Sequence, residues 1–383
     1  MSAKNKTLCA VGLMSGTSMD GVDAAILYTN GETIERHGPS LTMPYTDGLR
    51  SDIQKAVEAA ANLPAITSDN EFINEVADNI TDFHSDAVFE LESMLGAGRD
   101  QIDIIGFHGH TVTHRPERGW TWQIGDGGRL AGNTGISVVA DMRTNDMLHG
   151  GEGAPIVPIY HSALLKKNLK HKTIAVLNIG GVANVTWVKF DETGELIDIV
   201  AFDTGPGNAL LDDWMLAHTG KAIDFNGETA ATGLKHEEII MGLMASPYFD
   251  EKPPKTLDRN DFNMQSARGL SLEDGAATLT SFVVESVVAA QSHFPSTPDV
   301  WYICGGGRHN TTLMRRLRRH LPALVEPVES LGWRGDALEA EAFAFLAVRS
   351  LYGLPLSLPK TTGCEMPVTG GVLHKTRKRY ARR

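Results

Sequence analysis

Residues 8–28, LCAVGLMSGTSMDGVDAAILY, set two apolar runs on either side of a short polar segment that contains glycine. Leu8–Leu13 and Val22–Tyr28 have the length and composition of strands, and the residues between them are turn formers. Strand, turn, strand is the natural parse. Gly16 and Gly21 permit close approach of the backbone, and Thr17 and Ser18 add hydroxyls. With the backbone N–H groups of Met19, Gly21 and Val22, such a loop can hold a polyphosphate. Asp20 and Asp23 can hold Mg²⁺ directly or through water, because that ion takes few protein carboxylates and keeps several waters. Taken alone, an ordinary hairpin turn explains the same residues equally well.

The theme returns about 165 residues later. Thr173–Ile179 and Val182–Val188 read as strands joined at Gly180-Gly181, with Asn178 just before the turn. A third strand, Ile197–Phe202, runs into Asp203-Thr204-Gly205-Pro206-Gly207-Asn208 and then a helix with Leu210, Leu211 and Trp214 on one face. Asp203 is placed either to act as a base or to cap that helix. Val300–Cys304 is a strand ending in Gly305-Gly306-Gly307, ahead of a helix over Thr311–Leu321. Three glycines before a helix N-terminus suit a nucleotide lying against bare backbone. Each motif has a plain loop explanation, but their joint occurrence in this order favours nucleotide binding. GxxxxGK[ST] is absent, and so is a GxGxxG in a first βαβ unit, which argues against a P-loop enzyme and a Rossmann dehydrogenase.

Between and beyond these turns the chain alternates helices and strands. Ile73, Val76, Ile80, Phe83, Ala87, Leu91 and Met94 recur at steps of three and four, predicting a helix over 70–95 with a Ser68/Glu71 capping box. Ile102–Phe107 is a buried strand ending at His108-Gly109-His110-Thr111, and Ile136–Ala140 is another, ending at Asp141-Met142-Arg143. Polar groups at the ends of buried strands are typical of α/β ligand sites. A helix is expected over Leu272–Phe294 and a last one over Ala337–Tyr352, with Asp336 as N-cap, Glu339 as third helical residue and Gly353 as stop.

At 383 residues the chain exceeds the ~250–300 at which single cores stop growing, so two lobes are expected, 1–150 and 151–383, with the last segment packing back on the first. The tail HKTRKRYARR (374–383) carries six Lys/Arg and no acid, which leaves −18 on residues 1–373. So acidic a body disfavours nucleic acid and anionic membrane as partners. Cys9, Cys304 and Cys364 are scattered, with no CxxC pair, as in a reducing compartment. No leader-like N-terminus or long apolar run is present in the sequence, so a cytoplasmic enzyme is expected.

The segments GLMSGTSMDGVDAA, GFHGHTVTHRP, TWQIGDGGRLA, VVADMR, GGEGAPIVPIYH, LNIGGVANVT, FDTGPGNALLDDW and LEAEAFAFLAVR together resemble the anhydro-N-acetylmuramic acid kinase family of the sugar kinase/Hsp70/actin superfamily, from Val11 to about Gly371. The resemblance implies an α/β, two-lobed actin/hexokinase-type ATPase fold, with related lobes around a central cleft. It implies ATP and Mg²⁺ as cofactors and a homodimer. The implied reaction opens a 1,6-anhydro-N-acetylmuramic acid with water and phosphorylates O6, in cell-wall recycling. It favours Asp203 as the base over a helix cap, and it places Glu339 at the sugar and the attacking water rather than in a capping box. Thr111, Gln123 and Arg143 are substrate-side candidates, Arg143 because a guanidinium fork pairs a lactyl carboxylate bidentately. Met14 and Asn178 stand where many superfamily members carry Asp, which shifts the metal role to Asp20 or to waters around Asp203. Lys255 and Arg259, in PPKTLDR, resemble the family's phosphate or closing segment but depart from it at Leu257 and Asp258. Three alternatives stay open: a levoglucosan-type anhydrosugar kinase; a metal-dependent carbamoyltransferase using His108, His110 and His114; and a chaperone-like ATPase.

Overall fold

The computed structural model describes residues 5–16, 18–67, 69–95, 102–166, 171–259 and 261–376. Thr17, Ser68 and the end of the basic tail from Arg377 lie outside the described residues. The chain forms two compact units, Met1–Leu164 with Ala337–Arg383, and Leu165–Asp336. The boundary falls later than residue 150, and the return to the first unit begins at Ala337. Two contacts account for this. Tyr160, on the helix Pro158–Leu165, donates its hydroxyl to Glu341 Oε2 at 2.7 Å, and its ring meets Phe345 at 5.4 Å between centroids. Both partners lie on the helix Leu338–Leu351.

Among the described residues the strands run, in chain order, β1 (Leu8–Ser15), β2 (Gly21–Thr29), β3 (Ile34–Pro44), β4 (Ile104–Arg115), β5 (Trp120–Ile124), β6 (Val138–Ala140), β7 (Thr173–Ile179), β8 (Val182–Phe190), β9 (Leu196–Pro206), β10 (Val300–Cys304), β11 (Leu324–Pro327) and β12 (Val372–His374). The first unit's sheet has the order β12-β6-β4-β1-β2-β3, with β5 paired to β4, and the second unit's has the order β11-β10-β7-β8-β9. β1-β2-β3 and β7-β8-β9 are antiparallel meanders, and in each unit two parallel strands add beside the first strand of the meander. The two units therefore repeat one topology, as the recurring glycine hairpin predicts.

Local sequence explains most boundaries. The helix Glu71–Leu95 buries Ile73, Val76, Ile80, Ala87, Val88 and Leu91 on one stripe. At its N-terminus Asn70 Oδ1 accepts the Ile73 N–H at 3.1 Å. β4 does not stop at Phe107: Gly109, at φ +74°, makes a bulge there, and the strand continues to Arg115 as half of a hairpin with β5. In the last helix Asp336 is not the cap; it pairs with Arg308 Nη2 at 2.8 Å, Ala337 takes the cap position and Glu339 is the second helical residue.

That helix lies very close to the first sheet. Gly12 and Gly106 are register partners on β1 and β4. A Cβ on Gly12 would stand 1.7 Å from the Ala340 carbonyl oxygen, and one on Gly106 would stand 2.1 Å from that of Phe343. Glycine on the strands and Ala340, Ala344 and Ala347 on the helix bring backbone against backbone. The second unit packs Trp187, Phe202, Trp301 and Val325 between its sheet and the helices Leu272–Ala290 and Thr311–His320. No helix among the described residues is long and apolar enough to cross a membrane.

Candidate active-site residues

The first glycine turn links β1 to β2. Met19 N–H donates to the Gly16 carbonyl at 3.1 Å, and Met19 itself sits at φ +54°. Ser18 Oγ donates to Asp20 Oδ1 at 2.7 Å, and both residues are exposed. A Cβ on Gly16 would have only Ser18 Oγ nearby, at 3.6 Å. Gly16, Ser18, Met19 and Asp20 thus form an open loop with hydroxyl and carboxylate groups facing solvent. Gly21, Val22 and Asp23 belong to β2. Gly21 is needed by β3, since a Cβ there would meet the Met43 carbonyl at 2.4 Å, while Val22 is fully buried in the core. Asp23 Oδ1 accepts from Thr42 Oγ1 at 2.5 Å. Asp20, an exposed hard-oxygen donor at the end of this turn, fits Mg²⁺ bound mainly through water and phosphate. Among the described residues no group of three His, Cys, Asp or Glu side chains gathers at a cage for a metal.

Of the sugar-side candidates, Thr111 and Gln123 are register partners across the β4/β5 hairpin, and Gln123 Nε2 donates to Thr111 Oγ1 at 3.2 Å. Arg143 lies after β6. Its Nε donates to His108 Nε2 at 3.2 Å and its Nη1 to the Gly153 carbonyl at 2.8 Å. The three histidines of HGHTVTH go to different partners: His108 to Arg143, His110 to Ser15 Oγ at 2.8 Å, and His114 to Thr121 Oγ1 at 3.0 Å. Glu339 is half-buried in the first turn of its helix.

In the second unit three glycine segments interlock. Asn208 N–H donates to the Gly180 carbonyl at 2.7 Å, and Gly207 N–H to the Gly181 carbonyl at 2.8 Å. A Cβ on Gly207 would stand 2.2 Å from the Gly180 oxygen. One on Gly305 would stand 2.3 Å from Asn178 Oδ1, and one on Gly307 2.5 Å from Ile179 Cγ2. Gly305 is at φ +72°, and Arg308 fixes the segment by donating from Nη1 to the Gly305 carbonyl and from Nε to Glu329 Oε1. The glycines do not open the following helix directly: one 3-10 turn, Gly306–His309, intervenes, and Asn310 Oδ1 caps Thr311–His320 by accepting the Leu313 N–H at 2.9 Å.

Asp203 lies inside β9, beside this interlock, and caps no helix. Its Oδ2 accepts the Leu257 N–H at 2.9 Å, its N–H donates to the Lys255 carbonyl at 3.0 Å, and its carbonyl accepts the Tyr248 hydroxyl at 2.5 Å. Lys255 Nζ donates to the Tyr248 carbonyl at 2.7 Å and stands 4.3 Å from the centre of that ring. Burial pulls the Lys255 ammonium below its ordinary pKa, against the nearby charges of Glu251, Asp250 and Asp203. Lys255 therefore braces the Asp203 segment, and Arg259 pairs with Asp213 at 2.7 Å. Clamping by Tyr248, Lys255 and Leu257 fixes one carboxylate oxygen and the main chain on both sides of it.

A family profile described as Anhydro-N-acetylmuramic acid kinase matches residues 9–376. The chain belongs to this family. Relatives named anhydro-N-acetylmuramic acid kinase include one from Zymomonas mobilis, 45% identical over 96% of this chain and 100% of its own, and one from Rhizorhabdus wittichii, 48% identical over 96% and 99%. A third, from Gluconobacter oxydans, is 49% identical over 94% and 98%. Among solved structures, the activator of the 2-hydroxyisocaproyl-CoA dehydratase from Clostridium difficile with bound ADPNP aligns over 90% of this chain and 97% of its own. Its TM-score is 0.43 and its identity 14%, too distant to bear on this chain.

Sequence reasoning overlooked several residues on which the family's motifs depend here. Gly12 and Gly106 were legible as isolated glycines inside apolar strands, the usual mark of close backbone approach. Tyr248 and the partners of Asp203 in the 255–257 segment had no signal, because their meeting with β9 is purely tertiary.

Proposed function

We propose that this chain is an ATP-dependent anhydro-N-acetylmuramic acid kinase, acting in the cytoplasm on a 1,6-anhydro sugar released from the cell wall. The observation that carries the reading is the clamp on Asp203 next to the glycine interlock, in a chain whose family profile spans residues 9–376. Main-chain and Tyr248 bonds hold the Asp203 backbone, and the Leu257 N–H fixes the orientation of its carboxylate, which is assigned to the attacking water. Asp203 takes one proton from that water. The water oxygen forms a bond to C1 of the sugar as the C1–O6 bond breaks. O6, released from the bridge but still on the sugar, attacks the γ-phosphorus of ATP, and ADP leaves. Glu339 orients sugar and water, while Thr111, Gln123 and Arg143 hold the substrate.

The open turn Gly16–Asp20 and the interlocked turns at Gly180-Gly181 and Gly305–Gly307 are assigned to ATP, with Asn178 at the head of the second. Backbone N–H groups suit the phosphates, and bare glycine lets the nucleotide approach. Mg²⁺, held through Asp20, supplies charge neutralisation on the phosphates when bound. We assign the enzyme a homodimeric state, with neither nucleic acid nor membrane as partner.

A coupled ADP-release assay over anhydro-N-acetylmuramic acid, its ring-opened form, levoglucosan and glucose tests the reading. Turnover should be greatest with the first. Faster turnover of levoglucosan would move the chain to a different anhydrosugar, and ATP hydrolysis indifferent to every sugar would reject a sugar kinase altogether.

A further inference from the structure

Four polar side chains lie buried beneath the first glycine turn, and the reaction above uses none of them. Tyr45 Oη donates to Ser15 Oγ at 2.8 Å, and Ser15 Oγ lies 2.8 Å from His110 Nδ1. His84 Nδ1 lies 2.7 Å from the Ile80 carbonyl. Ser15, His84 and His110 are buried to 1% exposure or less. His110 Nε2 and His84 Nε2 are both buried and have no partner among the described residues.

Counting protons orders this group. The Ile80 oxygen can only accept, so His84 carries its proton on Nδ1, and its Nε2 is a bare acceptor. Ser15 Oγ accepts from Tyr45, and its own proton needs an acceptor, which His110 Nδ1 provides. His110 therefore carries its proton on Nε2, as a donor. The two orphan atoms are complementary, one donor and one acceptor. Both lie on the side of the sheet that the helix Glu71–Leu95 covers: Phe83 meets Tyr45, and the next residue, His84, meets Phe107, each at 5.0 Å between ring centres. Burial drives the pKa of both imidazoles down to about 4, so both are neutral near pH 7. A buried donor and acceptor left unmet are each costly, and one water removes both penalties.

The relay also brackets the turn. Ser15 stands immediately before Gly16, and the Tyr45 backbone N–H donates to the carbonyl of Asp20 at 3.0 Å, so Tyr45 grips both ends. The β4 bulge at Gly109 brings His110, rather than its neighbour, opposite Ser15. We propose that Tyr45, Ser15, His110 and His84 form one directional hydrogen-bond relay, closed by a single buried water between the two Nε2 atoms. His110 is its positioning residue, setting the geometry of the Gly16–Asp20 turn for the ATP phosphates. This rests on the reading of that turn as a phosphate holder, and not on which sugar is phosphorylated.

The test reads ATP affinity and tautomers, both independent of sugar turnover. In the wild-type chain, ¹⁵N chemical shifts should give His110 protonated on Nε2 and His84 on Nδ1, and a high-resolution crystal structure should place one water between the Nε2 atoms. His110→Gln keeps an acceptor toward Ser15 and a donor beyond it, whereas His110→Leu keeps neither. By calorimetry with Mg-ATP, His110→Leu should weaken binding roughly 3- to 10-fold, and His110→Gln should stay within about 2-fold of wild type. Tyr45→Phe, which retains the ring against Phe83, should fall between them, and it serves if the leucine variant does not fold. His110 protonated on Nδ1, a dry contact between the histidines, or equal ATP affinity across all three variants overturns the proposal. Loss of sugar turnover in the wild type, with the tautomers and affinities as expected, would instead reject the substrate and leave the relay standing.

Discussion

The turn after β1 and the turn after β7 occupy equivalent places in two copies of one topology, yet they are built in opposite ways. In the first, Ser18 and Asp20 are exposed, and a Cβ on Gly16 would touch Ser18 Oγ at an ordinary 3.6 Å. The second, Gly180-Gly181, is locked by bonds from Gly207 and Asn208 and packs near Gly305 and Gly307, where no Cβ fits. Glycine serves adaptability in one turn and close packing in the other. The contrast extends to charge. The first unit buries His84, His108, His110 and His161 as neutral rings, while the second carries Asp212 as a carboxyl weakened by burial, its pKa raised to about 7.

The largest effect should come from the clamped carboxylate beside the locked turn. Asp203→Asn keeps an oxygen for the Leu257 N–H but removes the base, so kcat should fall roughly 10²- to 10⁴-fold with ATP affinity and melting temperature nearly unchanged. Retention of a substantial fraction of turnover would mean that the locked region only holds nucleotide.

Acid should separate the two units next. The four histidines have folded pKa values pulled below 6.5 chiefly by burial, to about 4 for His84 and His110 and about 3 for His161. Below pH 6.5 the unfolded chain binds protons that the fold refuses, so the first unit loses stability as pH falls from about 6.5 toward 4, on the order of several kcal/mol in all. Asp212 has the opposite sign. Burial raises its pKa to about 7, against Arg259 and with help from Asp213 and Asp224, so its contribution is complete in acid and is lost as pH rises through 7. Half-buried His293, also lowered by burial, offsets part of this gain. Hydrogen exchange at pH 5 should show the first unit opening before the second; the reverse order would break the contrast.

A pair of glycine substitutions tests the packing difference itself. Gly207→Ala places a methyl against the Gly180 oxygen and should cost roughly 1–3 kcal/mol in denaturant unfolding, or more if the turn cannot shift. Gly16→Ala meets only Ser18 Oγ at 3.6 Å and should cost much less. Equal costs would show that the first turn is as constrained as the second. The smallest effect belongs to Ser18→Ala. It removes one exposed bond to Asp20 and should move stability by less than about 0.5 kcal/mol.

Much of the fold was legible because it rests on local periodicity. The strands around both glycine turns, the 71–95 helix and Val300–Cys304 follow from apolar spacing and turn residues, and the repeated hairpin gave the paired architecture. Misread points were those where a neighbour overrode local preference. Asp336 has the chemistry of a cap but meets Arg308, the stronger partner, and β4 passes through His108-Gly109 because β5 returns to pair with it. Of the site candidates, Thr111 and Gln123 meet across one hairpin. Arg143 and the histidines of HGHTVTH acquire their partners only through folding.

The order of residues by itself determined the repeated strand-turn-strand units, the acidic body and the places where backbone must come close, because these depend on side-chain size, charge and spacing along the chain. Which glycine opens a loop and which seals a junction, which carboxylate is clamped, and which imidazole nitrogen bears the proton were decided only in three dimensions. Those properties depend on atoms distant in sequence that share one dry volume, where every buried donor must find an acceptor.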